Sequence, residues 1–198
     1  MRTPEALIPY LLAIAAVLAG LLWHLGDETG GLGHTVTYGT TEIGGPFTLT
    51  DQNGATRSER DFRGLFMLIY FGYTHCPDVC PTTLAVMADA MTKLGPGADH
   101  FAPIFITVDP ARDLPSVMKA YITSFGPRFI GLTGQPDAIA KVAREYRAYF
   151  ARGPQAGGDY GINHTSTIYL MDANGRFVAD YDESVGPDAL AADLRKRL

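Results

Sequence analysis

The sequence predicts an α/β fold, a mixed sheet with helices on both faces, and three observations carry that expectation. Leu65–Phe71 is a continuous apolar run of strand length and Phe101–Val108 reads as another buried strand, the pattern of strands buried on both faces. Each leads into a segment whose apolar residues recur at helical spacing. Near the end, two further strand-like runs flank Asp172 to Gly175, where Asn174 followed by Gly175 favours a hairpin. The order βα, βα, a ββ hairpin and a closing helix is that of a mixed sheet with helices on both sides.

Composition sets the frame. With 46% hydrophobic and 19% charged residues over 198 positions, the chain reads as globular. The net charge of −5 argues against nucleic acid as a partner. Arg195 to Arg197 is the one basic run, and a solvated helix end accounts for it.

In chain order, residues 1–6 read as a cytoplasmic N-terminus and 7–25 as a transmembrane helix. Leu7 to Leu25 is apolar apart from Tyr10 and His24, and helical residues in that number span about 28 Å, close to the hydrocarbon thickness of a bilayer. Pro9 falls where a first helical turn tolerates it, and Tyr10 and Trp23 stand near the two ends as interfacial aromatics do. A cleaved signal peptide is the alternative. Against it, no small-x-small site follows the apolar stretch, which runs into Asp27 and Glu28. Arg2 on one flank and acids on the other put the N-terminus inside and the domain outside. A bacterial cytoplasmic membrane with the domain in the periplasm is the simplest home.

Residues 26–43, rich in Gly and Thr, read as a tether. The domain proper, 44–198, holds about 155 residues, enough to bury roughly 70% of its unfolded surface. Phe47–Thr50 and Ala55–Thr56 around Asp51 to Gly54 suggest a small opening hairpin. After the first buried strand, Cys80, Leu84, Met87 and Met91 fall on one helical stripe, so both methionines read as core. A helix is expected from Asp113 as N-cap, with Pro115 in its first turn, to Phe125. Phe129–Leu132 is a short strand, Pro136–Ala148 a helix, Thr165–Met171 and Arg176–Tyr181 the closing hairpin, and Pro187 opens the last helix.

Cys76 and Cys80 are the only cysteines. A loop this short gains little from closure, so the thiols point to chemistry rather than a structural staple. They lie in Gly72 to Pro81 (GYTHCPDVCP) just past the first buried strand, where open α/β sheets bind ligands. On a helix the pair would stand one turn apart with Cα atoms about 6 Å from each other, compatible with a disulfide or with one metal ion. Two thiolates suit a soft ion, Cu(I) first and zinc second, and zinc normally takes four ligands in a closed site. A histidine can complete a three-coordinate Cu(I) site. His24 lies in the membrane segment, His34 in the tether, and His100 at the opposite end of a strand. His75 adjoins Cys76 but tends to point away, and His164 precedes a later strand; both stay open as ligand or as ordinary surface histidine.

Tyr70 to Pro81, Val108 to Asp113 (VDPARD), Gly131 to Gly134, Asn163 to Thr165 and Gly45 to Leu49 occur in an order that closely resembles the SCO/SenC proteins, over about residues 44–181. The resemblance implies a thioredoxin-like fold with a membrane anchor. It also implies a copper metallochaperone role in assembling the CuA centre of cytochrome c oxidase subunit II. By motif it carries the copper ligands to Cys76, Cys80 and His164, for one ion, Cu(I) or Cu(II). Asn163 departs from the Asp common before the ligand histidine, which would change charge beside the site. Asp109 and Asp113 read as a turn and an N-cap, with a role for Asp109 near the site as the alternative.

An enzymatic reading competes with the chaperone one: a thiol–disulfide oxidoreductase, using Cys76 and Cys80 as a redox pair, that reduces the target's cysteines. A peroxiredoxin-like peroxidase is a weaker third. Three residues between the cysteines, and a histidine near the usual place of a proline, favour metal. A periplasmic copper donor and an external thiol reductant are the further partners expected, because a disulfide cannot supply two thiolates.

Overall fold

The computed structural model describes residues 43–156 and 159–198. The expected cytoplasmic stretch 1–6, the membrane segment 7–25 and the tether up to residue 42 lie outside them. Among the described residues no helix is long and apolar enough to cross a membrane.

The strands are β1 (Thr48–Asp51), β2 (Thr56–Ser58), β3 (Phe66–Gly72), β4 (Phe101–Thr107), β5 (Ile130–Thr133), β6 (Phe150–Ala156), β7 (Asp159–His164), β8 (Ile168–Met171) and β9 (Phe177–Tyr181). The α-helices are α1 (Val79–Leu94), α2 (Pro115–Thr123), α3 (Pro136–Glu145) and α4 (Pro187–Arg195). Seven strands form one sheet in the order β2-β1-β5-β4-β3-β8-β9. Its centre is parallel, with β3 on β4 and β4 on β5, and antiparallel strands β1 and β8 flank that core.

The two predicted apolar runs are these central strands. From Met67 to Gly72 every residue of β3 is buried, as is all of β4, because helices cover both faces. Alternation along β3 divides its side chains between them. Tyr70 stacks on Phe105 at 6.3 Å between centroids, and Phe105 meets Tyr121 of α2 on the same side. Phe71 points the other way, onto Tyr146 just past α3 and onto Tyr169 of β8. Met87 and Met91 are buried in the core as expected.

Four expectations need correction. Cys76 stands outside α1, which begins at Val79; Pro77 disfavours helical backbone at the residue before it. Asp113 is not an N-cap, since α2 begins two residues later behind Leu114, and its carboxylate is spent elsewhere. The third predicted helix stops at Glu145 instead of Ala148: Arg147 has φ +55° and Ala148 N–H reaches back to Ala143 O at 2.8 Å, a left-handed helix end. The strand expected from Thr165 begins only at Ile168. Ahead of it β6 and β7 form a separate two-stranded sheet that the sequence reading did not anticipate.

Candidate metal centre

β3 delivers the chain to the C-terminal edge of the parallel core, and the segment from Tyr73 to Asp78 turns there before α1 starts. Cys76 N–H donates to Tyr73 O at 3.2 Å. Asp78 occupies the N-cap position but its side chain makes no capping bond. The sulfur of Cys76 does that work instead, accepting the backbone N–H of Cys80 in the first helical turn at 3.4 Å. A helix start presents unpaired N–H groups and positive potential, and this sulfur stands against that end of α1.

Cys80 lies inward on α1 and is fully buried, while Cys76 is half-buried; both are free thiols. Gly72 makes the close packing possible. A Cβ there would meet Cys80 Sγ at 2.7 Å and Phe105 Cε2 at 2.8 Å. The hydroxyl of buried Tyr70 lies 3.9 Å from Cys80 Sγ, a long contact in which the phenol is donor. Burial pushes the Cys80 thiol well above its ordinary range, the neighbouring Cys76 adds to the shift, and the Tyr73 backbone opposes it.

His164 arrives from the other direction, at the end of β7. Its Nε2 is 3.3 Å from Cys80 Sγ, and its Nδ1 is 3.1 Å from Thr165 O. A carbonyl oxygen only accepts, so Nδ1 carries the proton and Nε2 presents a lone pair to the cysteines. Burial, first, lowers the His164 pKa, against the raising effect of the Thr165 carbonyl, which keeps the ring neutral and ligating. The rings of Tyr70 and Tyr73 stand edge-on to it at 6.1 and 5.8 Å. Donor atoms of Cys76, Cys80 and His164 all lie within 4.8 Å of one another, the one such metal-competent group among the described residues.

The three sequence-nominated ligands therefore converge. His75 does not join them: its Nδ1 contacts Thr74 Oγ1 at 3.1 Å and lies 3.9 Å from Asp113. Asn163 is exposed, on the opposite side of β7 from Ile162 and His164. The chemistry of the donor set, two sulfurs and one imidazole nitrogen, fits a soft three-coordinate ion and leaves a structural zinc one ligand short.

Around the ligands stand residues whose roles the sequence did not disclose. Asp113, fully buried, accepts Thr74 N–H at 3.0 Å and the hydroxyls of Thr74 and Thr107 at 2.5 Å each. It thereby holds the turn that presents Cys76. Asp109, also buried, accepts Arg112 Nε and the Tyr160 hydroxyl, the latter at 2.8 Å. Tyr73 Oη accepts Ile162 N–H at 3.3 Å. Asp109 and Asp113 sit in the VDPARD motif, so its presence was visible; its targets were not.

A thioredoxin-like α/β domain with a Cys–Cys–His metal site at its sheet edge is the class of protein that this fold and site define. The family model described as SCO1/SenC matches residues 35–198, and the chain belongs to that family. The copper-bound structure of Bradyrhizobium japonicum ScoI shares 49% identity, covering 79% of this chain and 99% of that one with a TM-score of 0.74. The mitochondrial SCO2 homolog of Bos taurus is 40% identical over 157 residues, 78% of this chain and 59% of the relative. A structure of BsSco, described as having a disulfide switch and as a member of the Sco family of cytochrome c oxidase assembly proteins, is 25% identical. It covers 78% of this chain and 92% of that one with a TM-score of 0.63. The chain spans 55 to 62% of the length of the first mitochondrial relatives it matches.

Proposed function

We propose that this protein is a copper metallochaperone that carries one ion on Cys76, Cys80 and His164 to the CuA centre of cytochrome c oxidase subunit II. The observation that carries the reading is the convergence of two sulfurs and a proton-free imidazole nitrogen within 4.8 Å. The copper-bound ScoI relative and the oxidase-assembly description of BsSco support it. Cu(I) is the preferred cargo, with Cu(II) as the second state. Cys76, half-buried where Cys80 is enclosed, is the ligand that an incoming recipient replaces first. The domain, 44–198, works outside a bacterial inner membrane, held by residues 7–25 through the tether 26–43, with 1–6 in the cytoplasm. A periplasmic copper donor and a thiol reductant keep the site loaded and reduced. Protease added to spheroplasts should digest the domain and spare cytosolic markers; a soluble form beginning after residue 25 would sink the anchored topology.

A second reading, a thiol–disulfide oxidoreductase acting on the cysteines of the CuA site, is favoured by the half-buried Cys76 with a free partner thiol behind it. In that reaction Cys76 and Cys80 would lose two electrons and two protons to form a disulfide, and the target disulfide would gain them. Complementation by His164→Ala separates the two. The variant keeps both thiols, so full restoration of the oxidase in cells lacking the gene would replace copper transfer with thiol reduction. Failure to restore, alongside intact thiols, supports the chaperone.

A further inference from the structure

The two elements that bring the ligands together share no strand ladder. β3 and α1 belong to the seven-stranded sheet and its helices, whereas β6 and β7 pair only with each other. A hairpin attached in this way has a position only if side chains supply one. Ile162 and Phe150 pack it on the core and Tyr73 Oη takes Ile162 N–H; the remaining side-chain bonds converge on a five-residue segment between β4 and α2 that holds none of the three ligands. At one end of it Asp113 grips Thr74, two residues before Cys76. At the other end Asp109 takes the Tyr160 hydroxyl. Between them Arg112 binds Asp109, donates to Tyr160 O at 3.0 Å, and lies 3.7 Å above the Tyr160 ring and 5.8 Å from that of Tyr73.

We propose, resting on the copper-site reading, that Asp109 to Asp113 is a positioning clamp that sets where His164 stands relative to the cysteine pair, with Tyr160 as the residue through which it acts on the histidine. The geometry is that of a bridge. One buried carboxylate fixes the cysteine turn, and four residues earlier a second buried carboxylate and its guanidinium fix the strand that ends in His164. Tyr160 is four residues before His164 on that strand, so it acts as a positioning residue and is no ligand. Arg152 stacks on the outer side of the same ring at 3.6 Å, so Tyr160 is held between two guanidinium groups. Phenylalanine at this position keeps both stacks and removes the hydroxyl that donates to Asp109, which makes Tyr160→Phe the test of choice.

The test is a double-mutant cycle on Cu(I) affinity of the reduced protein, measured by competition with a chromogenic Cu(I) chelator. Tyr160→Phe should weaken Cu(I) binding about three- to tenfold in the wild-type background. In the His164→Ala background it should have no effect, since the histidine through which it acts is gone. An equal loss in both backgrounds, or none in the wild type, overturns the clamp. Tyr160→Ala, which also removes both stacks, should give a larger loss with the same dependence on His164. In the apo-protein, contacts between the His164 and Tyr73 ring protons by NMR should weaken in Tyr160→Phe; unchanged contacts count against the proposal without reference to metal. Failure of the underlying copper reading would look different: wild-type protein that holds no Cu(I), or His164→Ala that binds as well as wild type.

Discussion

The cysteine turn and the histidine hairpin supply one site from two kinds of structure. The first grows out of β3, whose residues from Met67 onward are all buried, and passes through the turn Tyr73 to Asp78 into the 16-residue helix α1. The second is a peripheral pair of strands with a register break between Arg152 and Gln155. It is joined to the body through Tyr73, through Tyr160 with Asp109 and Arg112, and through buried Ile162. The contrast teaches a division of labour. Cys80 is set by the core and Cys76 by the turn that Asp113 holds beside it, while the imidazole is set largely by side-chain bonds that can be adjusted one at a time. On the copper-transfer reading, the enclosed sulfur and the adjustable imidazole are two separate controls on how tightly the ion is held.

Removing the core-set donor should therefore have the largest effect. Cys80→Ala is expected to lower Cu(I) affinity on the order of 100-fold or more, beyond the 10–100-fold typical of losing mere outer partners, as read by chelator competition. A loss no larger than that of His164→Ala would erase the distinction between the two regions. Gly72→Ala comes next. It drives a methyl into Cys80 Sγ and Phe105, and overpacking of a dense core costs typically 1–3 kcal/mol, so chemical denaturation of the apo-protein should show about 2 kcal/mol lost. An unchanged midpoint would mean that the sulfur does not need this contact. His164→Ala should weaken Cu(I) binding about tenfold while leaving the denaturation midpoint near wild type, because the hairpin end lies outside the main sheet.

The smallest effect is on pH. Burial lowers the His164 pKa below its unfolded value, so between the two values the unfolded chain binds the extra proton. Apo stability attributable to this ring is then complete above the ordinary histidine pKa and is lost as pH falls through the folded one. Apo His164→Gln should show a shallower loss over that acid range, and a slope equal to wild type would remove His164 as its source.

What could be read in advance follows the same line. β3 and β4 announced themselves because burial on both faces leaves apolar runs in place of alternation, and the cysteines because their spacing and position past a strand have few other uses. The hairpin was silent. Arg152, Gly153, Pro154 and Gln155 show neither alternation nor β-branched residues, and beyond Ile162 and Phe150 the strands are held by Tyr160 and Tyr73. Asp113, two residues before Pro115, carries the ordinary mark of a helix start, and nothing local reveals that its carboxylate turns inward to Thr74 and Thr107. His164 was placed by resemblance, since a histidine before a strand has many uses; the tautomer that makes it a donor depends on a carbonyl only the fold supplies.

Gly72 has a bearing on traffic. With only hydrogen at that Cα, Cys80 Sγ is pressed against the strand, and no room remains on its inner side for a visiting molecule. On the copper-transfer reading the ion is then reached from the side of half-buried Cys76 and His164. Whatever loads the ion and whatever takes it away must use that same side. Donor and recipient cannot dock together, so each delivery consists of two successive visits to a single berth, and an excess of apo recipient should slow loading by occupying it.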